Sequence, residues 1–396
     1  MIVSKTLRSV GIVVLLLLTH SLLDATQEER PSKVRSPKPL RIPLVKVSVK
    51  KGVCRLGFGY RLEIPVECWQ ATLPKGPAPP GLSEAIQFFD LGEDGELTSG
   101  GTDGFAFAGS SFIVQIPDRL LMKSGQYRVT FDGLKAVILT AEDLGIAQKY
   151  VSEASVFTEL RLRSGLTPVP LEADLTSACE KHCDYLKVNG MLAVEGLSVH
   201  QEDASKPGYT EEGAEAGRNS NISPGCSSVA EAMRACFATA WHGAPMVNPC
   251  LSGLGVGSKN GVTLIHLGRV QGIQEAPNFH PADGATAIPP GFGERGEYPN
   301  PVPGSDFGRG CGFPILVRLL SEPAKLISAE VTDPQGRRIA GSISCPMNPA
   351  SPEWPSNSNC ALFIPKTKLL SRTVYRVVFR FQDSDKPMTW SFTTGQ

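Results

Sequence analysis

The 396-residue chain has no formal net charge, with 39 lysines and arginines against 39 aspartates and glutamates. It therefore lacks the basic excess that nucleic-acid binding draws on, and no nucleic-acid partner is expected. It also contains no Cys-x-x-Cys, no His-Glu-x-x-His and no Gly-x-Ser-x-Gly. Those absences remove the zinc knuckle, the helix-borne zinc protease site and the hydrolase nucleophile elbow. After the first two dozen residues there is no further long apolar run, so stable membrane insertion is not expected either.

What is present begins with Lys5 and Arg8 ahead of an apolar run at 12–18, followed by polar residues around Ala25. This pattern reads as a secretory signal peptide over residues 1–25 and predicts a secreted or cell-envelope protein. Ten cysteines in an exported chain favour disulfides, with Cys54–Cys68 and Cys345–Cys360 as local pairs. Cys179 and Cys183 share one helical face, which sends them to partners elsewhere.

Punctuation by proline and glycine divides the rest. Residues 26–44 read as a charged, proline-rich linker, and 45–140 as short strands at sandwich-like spacing, among them "VKVSV", "AIQFFDL" and "QYRVTF". The stretch "IPDRLLMKSGQYRVTF" and the later "IPKTKLLSRTVYRVVF" share an Ile-Pro start and a Tyr-Arg-Val that place Tyr127 and Tyr375 at matching positions. That match favours two related β-sandwich modules, 45–140 and 311–396, on either side of a different middle. Residues 273–310 are rich in Pro and Gly and read as a linker or a long packed loop.

The middle, 146–272, reads as α+β. A first helix is expected to open at a Thr140 cap and close at Gly165, and a second carries Leu175, Ala178, Cys179, His182 and Leu186 before Asn189-Gly190 stops it. A third places Val229, Ala232, Met233, Cys236, Phe237 and Ala240 at spacings of three and four, with Ser227 and Ser228 as caps, and ends on Trp241 and His242. Asn260-Gly261 between two apolar runs predicts a type I′ hairpin. His182 and His266, on apolar faces, read as structural. His200 lies instead in a polar, glycine-rich stretch with Glu202, Glu212 and Glu215, a composition suited to a small polar cleft.

The ordered set "LRLRSGLTPVPLEADLTSACEKHCDYLKVNG", His200 with "PGYTEEGAEAG", and "TAWHGAPMVNPCLSGLGVG" resembles the CAP superfamily, also called SCP-like, and more closely its exported bacterial members. The tail resembles, less closely, bacterial Ig-like domains. The resemblance implies a central α-β-α sandwich, and with the strand patterns on either side the expected fold is that module flanked by two mainly β, sandwich-like ones. It also implies a cleft where two histidines and two glutamates meet, in several members around a divalent cation. Carried over, His200 and His242 are the histidines and Glu215 the acidic-turn glutamate, with Glu212 as its alternative. Thr239 occupies a position often held by Ser or Thr, and Glu202 could supply the second carboxylate. Gly243 stands where arginine is common.

His200, Glu215 and His242 with water would reach the minimum for a zinc-like site. The expected function is a non-catalytic exported binding protein for a peptide, lipid or surface glycan. The alternatives are a metal-assisted secreted hydrolase using Glu202 or Glu212 as base, and a purely structural envelope protein.

Overall fold

Small antiparallel sheets dominate the described residues, and the five α-helices among them gather in the middle of the chain. The structure, a computed structural model, describes residues 38–396 apart from 48–53, 57–59, 63–66, 194–195, 275–276, 321–324, 352–358 and the single positions 93, 102, 109, 111, 273 and 383. The expected signal peptide and most of the expected 26–44 linker lie outside these residues. None of the described helices is long and apolar enough to cross a membrane.

Before the helices, a five-stranded sheet centred on Cys68–Thr72 and Ala85–Phe89 lies beside a four-stranded sheet centred on Gly125–Asp132 and Ala136–Ala141. After them, a four-stranded sheet containing Ile315–Arg318 and Cys360–Pro365 joins a three-stranded one built on Val374–Phe381 and Met388–Thr393. The architecture is that of a multidomain α+β protein whose parts share one apolar core. Alternation explains the strands: Val374–Phe381 buries Tyr375, Val377, Phe379 and Phe381 and exposes the residues at 374, 376 and 380. Both matched tyrosines sit on such strands: the Tyr375 hydroxyl accepts from Leu370 N at 2.8 Å, while the Tyr127 hydroxyl meets Ser124 Oγ at 2.9 Å. The 273–310 segment carries a strand, Asn278–His280, in the sheet with Ile315–Arg318 and buries Phe292 and Val302.

The helices are α1 (Val151–Arg163), α2 (Ala173–Val188), α3 (Glu211–Asn219), α4 (Val229–Phe237) and the short α5 (Gly243–Met246). Thr140 does not cap α1; it belongs to the strand Ala136–Ala141, and a 3-10 turn at Gly145–Tyr150 intervenes. Gly145 at φ 50° makes the break, since the left-handed region suits glycine. Arg161 on α1 is fully buried and donates to the carbonyls of Thr167, Met246 and Asn248, tying α1 to the end of α5. Helix α2 ends at Asn189 as expected, and α4 starts on Ser228, whose Oγ accepts from Glu231 N at 3.1 Å. However, α4 stops at Phe237, so His242 lies one irregular turn later, at the N-cap of α5.

Three strands form the central sheet in the order Ser220–Pro224, Val262–His266, Gly255–Lys259. The last two make the expected hairpin, with Asn260 at φ 57° and Gly261 at φ 82° as a type I′ turn requires. Gly255 and Gly257 let this sheet lie directly on α2, because a Cβ at either would fall within 2.5–2.7 Å of Leu175 or Cys179. The strand Ser220–Pro224 is left at an edge.

The Cys345–Cys360 pairing is not formed, and Cys345 carries a free thiol. Register gives the reason: Ser344 pairs with Leu362, so position 345 falls opposite Ala361, and Cys360 projects from the other face. Cys179 and Cys183 are buried free thiols, and the Cys54 side chain lies outside the described residues. Burial pushes the Cys183 thiol up to about 12, which keeps it protonated and unreactive.

Candidate functional site

Three histidines approach one another around α3, and their hydrogen bonds separate their roles. His182 on α2 is fully buried. Its Nδ1 meets Glu202 Oε1 at 2.8 Å and its Nε2 meets the Val199 carbonyl at 2.8 Å. Both ring nitrogens are thereby used. Glu202, its side chain also fully buried, further accepts from Thr210 N at 3.1 Å, one residue before α3 begins. Helix α3 can lie on this pair because Gly213 and Gly217 face it. A Cβ at Gly217 would come within 2.5 Å of the His182 ring, and one at Gly213 within 2.6 Å of Glu202 Oε1. Glu202 therefore lines the cleft as a buried residue whose two carboxylate oxygens are already engaged, one by His182 and one by Thr210 N.

His200 closes the 3-10 turn Leu197–His200. Its Nδ1–H donates to the Gly217 carbonyl at 2.9 Å. Burial lowers its pKa, and the nearby His242 and His182 lower it further. A neutral ring bonded in this way presents an unprotonated Nε2, an acceptor.

His242 is held differently. Its Nδ1–H donates to Glu297 Oε1 at 2.6 Å, its own main-chain N–H donates to the same oxygen at 2.7 Å, and Ala240 N donates to Oε2 at 2.8 Å. The Glu297 side chain is completely buried while that of His242 keeps 22% exposure. Trp241 Nε1 donates to the Pro299 carbonyl at 2.8 Å, so the 297–299 segment is clipped along the 240–242 turn. Asn221 Nδ2 donates to the His242 carbonyl at 2.8 Å and ties that turn to the edge strand.

Two adjoining hollows of about 550 Å³ and about 670 Å³ share Leu197, His200, His242 and Tyr298 as their waist. The first is apolar along Leu186, Met191, Val199, Ile222 and Val262, with Arg295 and Arg309 at its rim. The second is more polar, with Arg218, Asn219, Ser220 and Asn221. Thr239 lines the apolar lobe, but its Oγ1 donates to the Cys236 carbonyl at 2.7 Å, so it presents its methyl group.

The structure thus brings His200, His242 and Thr239 to one cleft and leaves the acidic-turn residues outside it. Glu212 and Glu215 stand on the exposed face of α3. Glu212 pairs with Lys181 at 3.2 Å, and the charge of Glu215 acts on His266. The expected His200–Glu215–His242 ligand set is not assembled, because α3 turns its small residues, Gly213, Ala214, Ala216 and Gly217, inward and its carboxylates outward. Among the described residues no group of three or more His, Cys, Asp or Glu side chains is placed to hold a metal ion. The carboxylate beside His242 is Glu297, in a Pro/Gly-rich segment 55 residues downstream that no local pattern connects to it. The sequence signal is confined to two glutamates, Glu294 and Glu297, amid "GFGERGEYPNP", with nothing to say which of them meets a histidine.

No protein-family model matches the chain, and no curated protein matches it. Among solved structures it is similar to an extracellular protein containing a SCP domain from Bacillus anthracis str. Ames, at 10% identity over 55% of this chain and 87% of that one, with a TM-score of 0.22. So weak a likeness assigns no residue a role.

Proposed function

We propose that this chain is an exported, CAP-like binding protein without catalytic activity of its own, and that its two-lobed cleft takes an extracellular or envelope ligand at the His200–His242 waist. The observation that carries this reading is the way both rings are anchored. Each uses Nδ1 on the protein, His200 on a carbonyl and His242 on Glu297, and each leaves Nε2 without a hydrogen bond to any described residue. Fixed polar atoms over an apolar floor are what a binding pocket uses to orient a ligand. A first lobe floored by Leu186, Met191 and Val262 and a second that adds Arg218 and Asn219 to Leu267 and Pro299 suit a ligand with both apolar and polar groups. Export is supported by the pattern of residues 1–25.

A divalent cation does not fit this set of donors. A zinc site keeps at least three protein ligands. Here two imidazoles face the cleft, Glu297 already accepts three N–H bonds, Glu202 is held by His182 and Thr210 N, and Glu212 and Glu215 lie on the exposed face of α3. The metal-assisted hydrolase alternative therefore lacks a ligand set, and the carboxylates expected to serve as its base, Glu202 and Glu212, are engaged by His182 and Lys181. A screen of small amphipathic fragments, read by the imidazole nitrogen resonances of His200 and His242, tests the reading. Hits that move both Nε2 signals are expected, whereas hits that gather elsewhere and leave them still would favour a purely structural envelope protein.

A further inference from the structure

The strand Ser220–Pro224 runs along the cleft as a sheet edge, and its main-chain polarity is half unused. Among the described residues it pairs only with Val262–His266. The bonds at its two ends fix the phase of that ladder. Leu267 N donates to the Asn219 carbonyl at 2.9 Å, and Gly225 N donates to the Gly261 carbonyl at 2.8 Å. Alternation then turns the N–H and C=O of Asn221 and Ser223 inward, and those of Ser220 and Ile222 outward. Among the described residues none hydrogen-bonds the outward main-chain groups of Ser220 or Ile222. Pro224, the next outward position, has no N–H, and its carbonyl accepts from Arg295 at 3.2 Å. The outward row opens into the cleft, because residues from both faces of the sheet line the apolar lobe: Leu186 and Val262 on the α2 side, Cys236 and Thr239 on the α4 side. A hollow that meets both faces wraps the edge between them.

We infer that the cleft binds an extended peptide that adds as an antiparallel strand to Ser220–Pro224, an inference that rests on the binding function proposed above. Main-chain bonds to Ile222 and Ser220 would hold the peptide, and its alternate side chains would fall toward the α2 and α4 sides. Direction follows from the strand's own. An antiparallel partner runs from the Pro224 end, in the apolar lobe, toward the Ser220 end, past the two histidines. There Arg218 lines the second lobe with no carboxylate partner among the described residues, unlike Arg295 and Arg309, which pair with Glu231 and Asp306. The chemistry on offer is that of a peptide C-terminus: apolar residues first, then a free carboxylate at Arg218.

The test is selection from a display library of linear octapeptides with free C-termini, followed by synthesis of the enriched sequences. The expected result is enrichment of sequences that alternate apolar and polar residues. N-methylation at alternate main-chain positions should weaken binding about tenfold or more, with the intervening positions indifferent. Hydrogen exchange at the Ile222 amide should slow on binding, and Arg218→Glu should remove the preference for a free carboxylate over an amide. Ile222→Pro, which removes one outward N–H from an edge strand, should abolish binding. Because that variant can also lose packing, exchange at Ile222 in the unaltered protein is the deciding readout. No enriched sequences, or peptides that bind without N-methyl sensitivity and without protecting Ile222, would overturn the inference. Fragments still moving the His200 and His242 resonances would then leave the binding function standing, and their failure would end both.

Discussion

Among the described residues two histidine–glutamate pairs have nearly equal length, His182–Glu202 at 2.8 Å and His242–Glu297 at 2.6 Å. In the first, neither side chain is exposed, both ring nitrogens are bonded, and Glu202 reaches on to the start of α3. In the second, the glutamate is equally buried but the ring keeps one edge toward a cleft. The same two residue types thus serve as a fastener in one place and as an oriented recognition group in the other. What distinguishes them is the second nitrogen of the ring, not the carboxylate.

Breaking the sealed pair has the largest expected effect. Glu202→Ala leaves the His182 ring and Thr210 N without their buried partner and should cost about 3–5 kcal/mol in a urea or thermal unfolding titration. Gly217→Ala attacks the same pair from outside by forcing α3 off the ring, and about 1–3 kcal/mol is expected. In the open pair, Glu297→Gln keeps the side-chain size and one acceptor, so about 1–2 kcal/mol is expected, together with loss of fixed orientation at His242 in imidazole spectra. The smallest stability effect belongs to His242→Ala, about 1 kcal/mol, since the ring is partly exposed and buried Glu297 keeps its two main-chain N–H donors. That variant should nonetheless abolish fragment binding at the waist. If His242→Ala proved as destabilising as Glu202→Ala, the two pairs would be fasteners alike.

Acid provides a further probe. Burial lowers the pKa of His200, of His266 and, most strongly, of His280, which is held to about 3 against an ordinary 6.5. Above 6.5 neither the folded nor the unfolded chain protonates these rings, and stability is full. Below it the unfolded chain takes up protons first, so stability falls, for His280 alone by about 1.4 kcal/mol per pH unit down to about pH 3. His280→Leu should flatten unfolding free energy measured between pH 6.5 and 4.5.

Local patterns in the sequence revealed the stop of α2, the Ser228 cap and buried stripe of α4, and the Asn260-Gly261 hairpin, because each is encoded within a few residues. His200, singled out by a polar loop composition, and His242, by motif order, both line the two hollows. Glu297 was not legible, because its pairing with His242 arises only when a proline-rich segment folds back over the turn. Glu215 was misread for a different reason: once α3 is seen as a helix, Gly213, Ala214, Ala216 and Gly217 mark its inner face and place Glu212 and Glu215 outside. Glu202 is two residues from His200 in sequence yet bonds His182 and Thr210 N, whereas His200 bonds the Gly217 carbonyl.

Ring-nitrogen proton and nitrogen-15 correlation spectra at neutral pH test the central contrast directly. The account predicts His200 protonated at Nδ1 alone, an Nε2 of His242 in rapid exchange with solvent, and His182 protected at both nitrogens. His200 carrying its proton on Nε2, or His182 exchanging as freely as His242, would contradict it.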